Sequence, residues 1–294
     1  DLYEEATSID PEFANAYAQL GHWKSHWLNE DLQPWDHAEA VRIAIPYYEK
    51  AFEIDPNNKI AHKRKAQMHF YYEWDFEAAE KEYQILKQLD PREDFPLLLR
   101  ATGRYEELLE STEHRLTYDP LSLMTWGHNI QGLYFTNQPE KAIQTIDEAK
   151  KLYKIVHDEI GLYYLITSTV MVYSNLEMYE EVIETIEANL NESKRPYVLC
   201  SKAIAYYHLG KQNMSHDLIS EIELSQSSDN PYFSLAMIYA QMGDINTAFD
   251  WLEKAFINHE VYMYRINVEP YFIPLYHDPR WQQMLRKVGF TGKT

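Results

Sequence analysis

The sequence is poor in the residues that interrupt helices and in those that build covalent or metal frameworks. Its 294 residues include 9 glycines, 13 prolines and 1 cysteine. The single cysteine, Cys200, excludes an internal disulfide framework and a four-cysteine zinc site, and we predict that it is a buried structural thiol. No stretch of useful length alternates Val, Thr or Ile with polar residues, as a half-buried strand would. These scarcities predict an all-α chain.

Positive charge is also scarce, with 27 Lys and Arg against 46 Asp and Glu, for a net charge of −19. Such a chain is a poor partner for a phosphate backbone or an anionic membrane, so we expect neither nucleic acid nor membrane as a partner. No apolar run approaches the roughly 18 residues of a membrane span, and the start at Asp1 does not resemble a signal peptide. The compartment is left open by the sequence, with a cytoplasmic location favoured over a periplasmic one. Phosphate-binding glycine loops and nucleophile-elbow motifs are missing, and we expect no cofactor.

What the sequence does contain is a recurring helix stop. Pro11, Pro56, Pro91 and Pro120 each close an acidic, apolar-periodic segment, at successive spacings of 45, 35 and 29 residues. Proline lacks an N–H and disfavours helix in the residue before it, so each stop separates one helical pair from the next. Between two of these stops, the stretch 60–91 is typical of two amphipathic helices joined by a tight turn.

The clearest copy of this unit is the stretch 231–256, PYFSLAMIYAQMGDINTAFDWLEKAF. Aromatic, small and apolar side chains recur in it at helical spacing: Tyr232, Leu235, Ala236, Tyr239, Gly243, Ala248, Leu252 and Ala255. Pattern and period together resemble the tetratricopeptide repeat (TPR), which is about 34 residues long. The resemblance implies an α-α superhelix, a TPR solenoid, of about seven helical hairpins of irregular length with a C-terminal capping helix.

The repeat pattern also sets the expected boundaries. We expect the second helix of a truncated repeat over 1–11, the TPR array over 12–256, and a cap over 259–294 whose helix spans Pro279–Val288. The first unit carries an insertion, Leu28–Glu39. The expected units are about 12–56, 57–91, 92–120, 121–157, 158–194, 195–229 and 230–258.

Two stretches, FYYEWDFEAAEKEY and HDPRWQQMLRKVGF, resemble a narrower group. They are similar to the TPR arrays at the C-terminal end of multidomain bacterial signalling proteins and transcriptional regulators. That resemblance implies a DNA-binding, cyclase or kinase domain upstream of Asp1. Because Tyr3, Ala6 and Pro11 match the second helix of a repeat, we expect the chain to be a fragment of such a protein.

The TPR resemblance also implies where a ligand would lie, because ligands of this family occupy the concave groove lined by first helices. Projecting the repeat onto the chain gives these groove candidates: His22, His26, Arg64, Met68, Tyr71, Tyr72, Gln131, Tyr134, Tyr164 and Met171. Arg, Met and aromatic side chains are common in binding surfaces, so the implied partner is a protein or peptide segment, with a small ligand as a further option. The alternative is that several of these side chains pack between helices.

Two more specific sites are not favoured. A chaperone-type carboxylate clamp needs Lys and Asn on successive first helices, but Ala18 and His22 occupy those positions in the first unit. His22 and His26 are four residues apart and could face one metal ion. The residues between them lack the glutamate of an HExxH motif, so we interpret the pair as two groove histidines and expect neither a metal nor a catalytic site.

Three hypotheses remain for the function. The favoured one is a non-catalytic interaction module that serves as the sensory or regulatory region of a larger regulator. The second is a scaffold for self-association, for example as a homodimer. The third is an enzyme with a site in the groove, for which the insertion and the groove histidines are the only support.

Overall fold

The computed structural model describes residues 2–31, 37–153, 155–191, 193–224 and 231–290, with the backbone alone for residues 26–31 and 37. Across these residues every regular element is helical and no strand occurs. The chain forms two compact units: unit 1 comprises residues 1–98 with 287–294, and unit 2 comprises residues 99–286. The all-α fold class predicted from the sequence is confirmed.

Unit 1 is a succession of helices joined by short connections. In chain order they are α1 (Leu2–Ile9), α2 (Ala14–Asp31), α3 (His37–Ile54), α4 (Lys59–Met68) and α5 (Phe76–Leu89), followed by α6 (Pro96–Ala101), in which the boundary to unit 2 falls. Helix α2 packs on α3 and α4 packs on α5, and α2 also contacts α4. The two hairpins therefore lie side by side with their first helices in contact.

Unit 2 continues the same alternation. Its helices are α7 (Tyr105–Tyr118), α8 (Leu123–Phe135), α9 (Pro139–Ala149), α10 (Glu159–Asn175), α11 (Tyr179–Asn189), α12 (Pro196–His208), α13 (Gln212–Leu224), α14 (Tyr232–Gln241), α15 (Ile245–Ile257) and α16 (Pro279–Lys287). Short 3-10 segments occupy Lys150–Leu152, Val261–Val268 and Pro270–Leu275. Helices α8, α10, α12 and α14 contact one another in that order, and we call them the first-helix row of unit 2.

The predicted helix stops are confirmed, and the structure shows how they work. Helices α1, α3 and α5 each end one residue before an Asp-Pro pair. In each case the aspartate carboxylate accepts a hydrogen bond from the N–H that follows the proline, at 3.0 Å for Asp10, 3.0 Å for Asp55 and 3.2 Å for Asp90. The proline supplies no N–H of its own, so this side-chain bond fixes the turn after the helix.

Helix starts are fixed by side-chain caps that satisfy otherwise unpaired backbone N–H groups. In five helices the capping oxygen accepts the N–H three residues on, at 2.9 to 3.3 Å. The capping residues are Asn58, Asp75, Ser122, Asp158 and Asp244.

Small side chains let the helices of unit 1 approach closely. Ala18, Ala51 and Ala61 are completely buried and form one apolar cluster. A Cβ added at Gly21 would lie 2.9 Å from the Cβ of Tyr47 on α3, closer than carbon atoms normally come. Any larger residue at these positions would push the helices of the hairpin apart.

The stretch FYYEW departs from the simple tight turn that the sequence suggested. Residues His69–Glu73 form one π-helical turn, and Trp74 ends it in the left-handed region with φ +51°. The ring of Phe290 stacks on that of Phe76 in α5, with centroids 4.4 Å apart. The end of the described chain therefore completes unit 1, a contact that the repeat pattern does not predict.

Helix α16 buries the face that the sequence predicted for the capping helix, with Trp281, Met284, Leu285 and Val288 at most 2% exposed.

The predicted insertion Leu28–Glu39 falls at the junction of α2 and α3, and its residues 32–36 lie outside the described part of the chain. No helix in the described ranges has the length and apolar character needed to cross a membrane.

Candidate functional site

The candidate site in unit 1 is built on the two first helices, α2 and α4. Arg64 of α4 reaches across to α2 and donates from Nη2 to Oε1 of Gln19 at 3.2 Å. Its Nη1 donates to Oε1 of Gln67 on its own helix at 2.9 Å. With Tyr72, which follows α4, these residues make up what we call the Arg64 surface.

Arg64 is half-buried, and the groups it bonds are neutral amides. Among the described side chains no carboxylate lies within ion-pair distance of it. Its Nε is buried and has no hydrogen-bond partner among the described residues. A guanidinium remains charged at neutral pH and presents five N–H donors. The Arg64 surface therefore holds a positive charge and at least one donor that the described part of the protein does not satisfy.

The other basic groups of α4 are arranged differently. Each of them pairs with a carboxylate from α5 or the turn that follows it: Lys59 with Asp90 at 2.9 Å, His62 with Glu82 at 2.6 Å, Lys63 with Glu93 at 2.7 Å and Lys65 with Glu82 at 2.7 Å. In a chain with net charge −19, carboxylates are abundant, so it is a distinct local arrangement that Arg64 bonds only amides among the described residues.

Three tyrosines lie close enough to Arg64 to interact with its charge. Burial lowers the pKa of Arg64, while the nearby Tyr48, Tyr3 and Tyr72 act in the opposite direction. Burial also raises the pKa of Tyr72, with the Arg64 charge opposing it. Arg64 and Tyr72 are both half-buried, so the surface is partly withdrawn from water, where a hydrogen bond or charge pair is stronger than on an open surface.

The structure places the other unit 1 candidates as follows. Tyr71 is half-buried, and its ring meets Phe70 edge-on at a centroid distance of 5.0 Å. Met68 is 2% exposed and packs in a core cluster with Ala44 and Tyr48, which is the alternative stated above for some of these side chains. His22 is half-buried on α2, one turn beyond Gln19.

The side chain of His26, and with it any shared metal site of His22 and His26, lies outside the described residues. Within the described part of the chain, no three or more His, Cys, Asp or Glu side chains come together as a metal site would require. Cys200 is buried, as predicted, and burial raises the pKa of its thiol well above the usual value.

The four candidates of unit 2 lie in or against a packed interior. Gln131 is 3% exposed; its Oε1 accepts from Nη1 of Arg100 at 2.7 Å, and its Nε2 donates to Oγ of Ser168 at 2.9 Å. Met171 is 1% exposed and belongs to the apolar core. Met171 and Gln131 thus pack between helices, which was the alternative to a position in the groove.

Tyr164 and Tyr134 are half-buried. The Tyr164 hydroxyl shares a 2.9 Å hydrogen bond with Nδ1 of His128. Burial raises the pKa of Tyr164 to about 12 and that of Tyr134 in the same direction. Neither tyrosine presents an ionisable group near neutral pH.

The main feature of unit 2 that the sequence did not reveal is the segment 261–275. Its second 3-10 turn, Pro270–Leu275, lies against the first-helix row and contacts α10 and α14. The Tyr271 hydroxyl donates to Oγ of Ser174 at 2.7 Å, and Nε2 of Gln241 donates to the Tyr271 carbonyl at 2.8 Å. The apolar residues after the last repeat were the one available signal, because apolar residues outside a helical period still need a surface to cover them.

Two parts of the chain match the model of a known repeat family. Residues 42–58, over α3 and the turn after it, and residues 230–256, over α14 and α15, match the tetratricopeptide repeat family model. The match supports the repeat pattern inferred from the sequence. No curated protein sequence matches this chain.

Two solved structures are similar in helical arrangement at low identity. The crystal structure of YrrB, described as a TPR protein with an unusual peptide-binding site, is 12% identical with a TM-score of 0.34, over 85% of this chain and 97% of that one. The structure of Naa15/Naa10 bound to HypK-THB is 14% identical with a TM-score of 0.37, over 97% of this chain and 42% of that one. This chain thus spans less than half of the second structure's chain. Neither similarity is close enough to indicate a function.

Proposed function

We propose that this chain is a non-catalytic protein-interaction module and that the Arg64 surface of unit 1 binds a segment of a partner protein. The observation that carries the proposal is the state of Arg64. It is half-buried among tyrosines, hydrogen-bonded to the amides of Gln19 and Gln67, and has a buried Nε–H without a partner among the described residues.

A bound segment would supply the acceptor, and where it is acidic the opposite charge, that the described part of the protein does not give Arg64. The guanidinium has N–H donors beyond the two that bond Gln19 and Gln67, and a hydrogen bond from a charged group to a carboxylate or backbone carbonyl contributes about 1.5–3 kcal/mol. Arginine and tyrosine are also among the side chains that most often dominate binding energy at protein interfaces. The ligand we propose is therefore a peptide segment with an acceptor directed at Arg64 and an apolar group against Tyr72.

We also propose that the module works inside a larger bacterial signalling protein or transcriptional regulator. The support is the resemblance of the stretches FYYEWDFEAAEKEY and HDPRWQQMLRKVGF to the TPR arrays of such proteins. In that setting, occupation of the Arg64 surface would change the state of a domain outside this chain.

The test begins with selection of peptides from a random 12-residue display library on the immobilised full chain. The strongest binder is then synthesised with a fluorescent label, and its affinity is measured by fluorescence anisotropy for wild type and Arg64→Gln. Because a central arginine typically contributes about 2 kcal/mol or more, we expect Arg64→Gln to weaken binding by at least about ten-fold.

Lys63→Gln is the matched control, because Lys63 is adjacent on α4 but pairs with Glu93 at the surface. It should alter the affinity by no more than about two-fold, since exposed ion pairs contribute little. Circular dichroism should show unchanged helicity in both variants. Equal binding by wild type and Arg64→Gln would contradict the proposal, and so would the absence of any selected peptide. Concentration-dependent dimerisation unaffected by Arg64→Gln, with no peptide binding, would instead favour the scaffold alternative.

A further inference from the structure

The interior of unit 2 contains a histidine, His128, that is bonded to a neutral group. It lies on α8, the first member of the first-helix row, and is 5% exposed. The described residues give its ring one hydrogen bond, between Nδ1 and the Tyr164 hydroxyl at 2.9 Å. The Tyr164 ring also packs against it, with ring centroids 4.5 Å apart. The surroundings of His128 therefore suit an uncharged imidazole.

The helices that enclose this ring bring positive and neutral groups towards it. Arg100 of α6 and Arg115 of α7 lie close enough to act on the charge of the ring. Tyr164 comes from α10, and burial raises its pKa to about 12, so it is neutral. Helix α9 also packs on α8, but the side chains that it buries are alanine and isoleucine. A proton on the ring would thus add a third positive charge to those of two guanidinium groups.

No carboxylate among the described residues lies within ion-pair distance of His128 to balance such a charge. Glu269 is a buried carboxylate of the same unit, but its Oε2 accepts from Nη2 of Arg265 at 2.6 Å. The buried histidine of unit 1 is placed differently, because Nδ1 of His62 contacts the Glu82 carboxylate at 2.6 Å. A positive charge is therefore balanced at the histidine of unit 1 and not at that of unit 2.

The hydrogen bond to Tyr164 favours the neutral ring as well. A tyrosine hydroxyl has one hydrogen to donate. Besides Nδ1 of His128 at 2.9 Å, its acceptor is Oε1 of Gln131 at 3.4 Å. That oxygen already accepts from Arg100 at 2.7 Å, so the hydroxyl donates to Nδ1. A proton on Nδ1 would redirect the hydroxyl to the more distant oxygen, beyond the roughly 2.5–3.0 Å of a good O–H···O bond.

These surroundings set the direction in which acid acts. Burial, with the charges of Arg100 and Arg115, holds the pKa of His128 well below its usual 6.5. When the ring is released to water, it takes up a proton near that usual value. The folded form then binds fewer protons than the open form, so its stability is complete above pH 6.5 and falls as the pH drops below it. From pH 7.5 to pH 5.5, one such histidine favours the open form by about ten-fold.

We infer that His128 makes unit 2 an acid-sensitive switch, in which mild acid favours a form with α8 loosened from the helices that enclose its ring. Helix α8 is the element that responds, because the ring reaches water only when α8 separates from the groups that α6, α7 and α10 place around it. Protonation of a buried histidine is a general means of shifting such an equilibrium. The inference concerns unit 2 and is independent of the Arg64 surface.

The first test is urea unfolding of the full chain at pH 7.5, 6.5 and 5.5, followed by circular dichroism with the transition of unit 2 fitted separately. The range stops above the sequence pI of about 5.0, where the chain has no net charge. His128→Asn keeps a polar group near the position of Nδ1 but cannot titrate. From pH 7.5 to pH 5.5, the unfolding constant of unit 2 should rise about ten-fold more in wild type than in this variant. An equal rise in both would overturn the inference.

His114→Asn is the matched control, because it removes another histidine of the same unit. His114 is exposed on α7, and its ring meets the Tyr118 ring edge-on at a centroid distance of 5.6 Å. This variant should keep the full pH dependence of wild type. If it loses that dependence to the same extent as His128→Asn, the response does not belong to the buried ring and the inference is wrong.

The second test uses wild type alone, so it does not require His128→Asn to fold. A long-range ¹H–¹⁵N spectrum reports the protonation of histidine rings, and the His128 ring is identified by its NOE contacts with the Tyr164 ring. In the folded chain, its nitrogen shifts should remain those of a neutral imidazole at pH 5.5. A His128 ring that carries both protons at that pH while unit 2 stays folded would overturn the inference.

Discussion

Replacing Glu82 by Gln tests how the hairpin that presents Arg64 is held together. Glu82 lies on α5 and is 9% exposed. Its carboxylate contacts Nδ1 of His62 at 2.6 Å and Nζ of Lys65 at 2.7 Å, both on α4. It is therefore a polar bridge between the two helices of the hairpin, and its loss should destabilise unit 1.

The size of the effect follows from these two contacts. A hydrogen bond to a charged group contributes about 1.5–3 kcal/mol. The Lys65 side chain is 35% exposed, which reduces the contribution of its ion pair to stability. The amide oxygen of the introduced glutamine can still accept one hydrogen bond. We therefore expect Glu82→Gln to lower the free energy of unfolding by about 2 kcal/mol at pH 7. Urea unfolding followed by circular dichroism, with the transition of unit 1 fitted separately, measures the difference.

The matched control is Glu77→Gln on the same helix. Glu77 pairs with Lys81 at 2.8 Å, but these side chains are 82% and 70% exposed. Such a pair contributes at most about 0.5 kcal/mol. If Glu77→Gln and Glu82→Gln shift the transition equally, the reasoning from burial is refuted.

The dependence on pH gives an independent check. Burial by itself raises the pKa of Glu82, but hydrogen bonds from His62 and Lys65 bring it below the usual 4.5. A carboxyl whose pKa is lower in the folded state stabilises the fold above its unfolded pKa and loses that contribution as the pH falls through its folded pKa. The difference in the free energy of unfolding between wild type and Glu82→Gln should thus have its full value at neutral pH and become smaller as the pH falls below 4.5.

Two further substitutions test local features of unit 1. Gly289→Ala should loosen the C-terminal residues from unit 1, because its φ is +95° and a Cβ there would lie 2.4 Å from the Trp74 carbonyl oxygen. Gly103→Ala is the comparison, because Gly103 has φ +73° and no atom within 4 Å of an added Cβ, so the substitution introduces backbone strain alone and should cost only about 1–2 kcal/mol. Thermal unfolding should therefore show Gly289→Ala to be the more destabilising of the two. The opposite order would contradict the close approach of Gly289 to the Trp74 carbonyl. Asn58→Ala removes the cap that accepts the Ala61 N–H at 2.9 Å and should lower stability by about 1–2 kcal/mol in urea unfolding; an unchanged midpoint would show that the cap is dispensable.

The features that the sequence predicts well are those set by local chemistry. Asp-Pro pairs end α1, α3 and α5 because proline has no N–H and the aspartate completes the turn, and neither effect depends on distant residues. The buried face of α16 follows in the same way from helical spacing.

The features that the sequence missed depend on contacts between distant residues. The π-helical turn at His69–Glu73 and the docking of segment 261–275 have no repeat signature, since each is selected by the surface that it meets. Among the groove candidates, Met68 and Met171 share helical spacing with half-buried neighbours, so spacing alone did not distinguish a core side chain from a surface one. What makes Arg64 unusual, its lack of a carboxylate among the described residues, is invisible until its neighbours are known.

The central claim, that Arg64 receives an acceptor from a bound partner segment, is tested most directly at its Nε–H. In a ¹H–¹⁵N spectrum of the full chain, the Arg64 Nε–H resonance is assigned by its disappearance in Arg64→Lys. Addition of the library-selected peptide should shift this resonance, because the guanidinium gains a hydrogen-bond acceptor. Saturating peptide that binds the chain while leaving the Arg64 Nε–H shift unchanged would contradict the account.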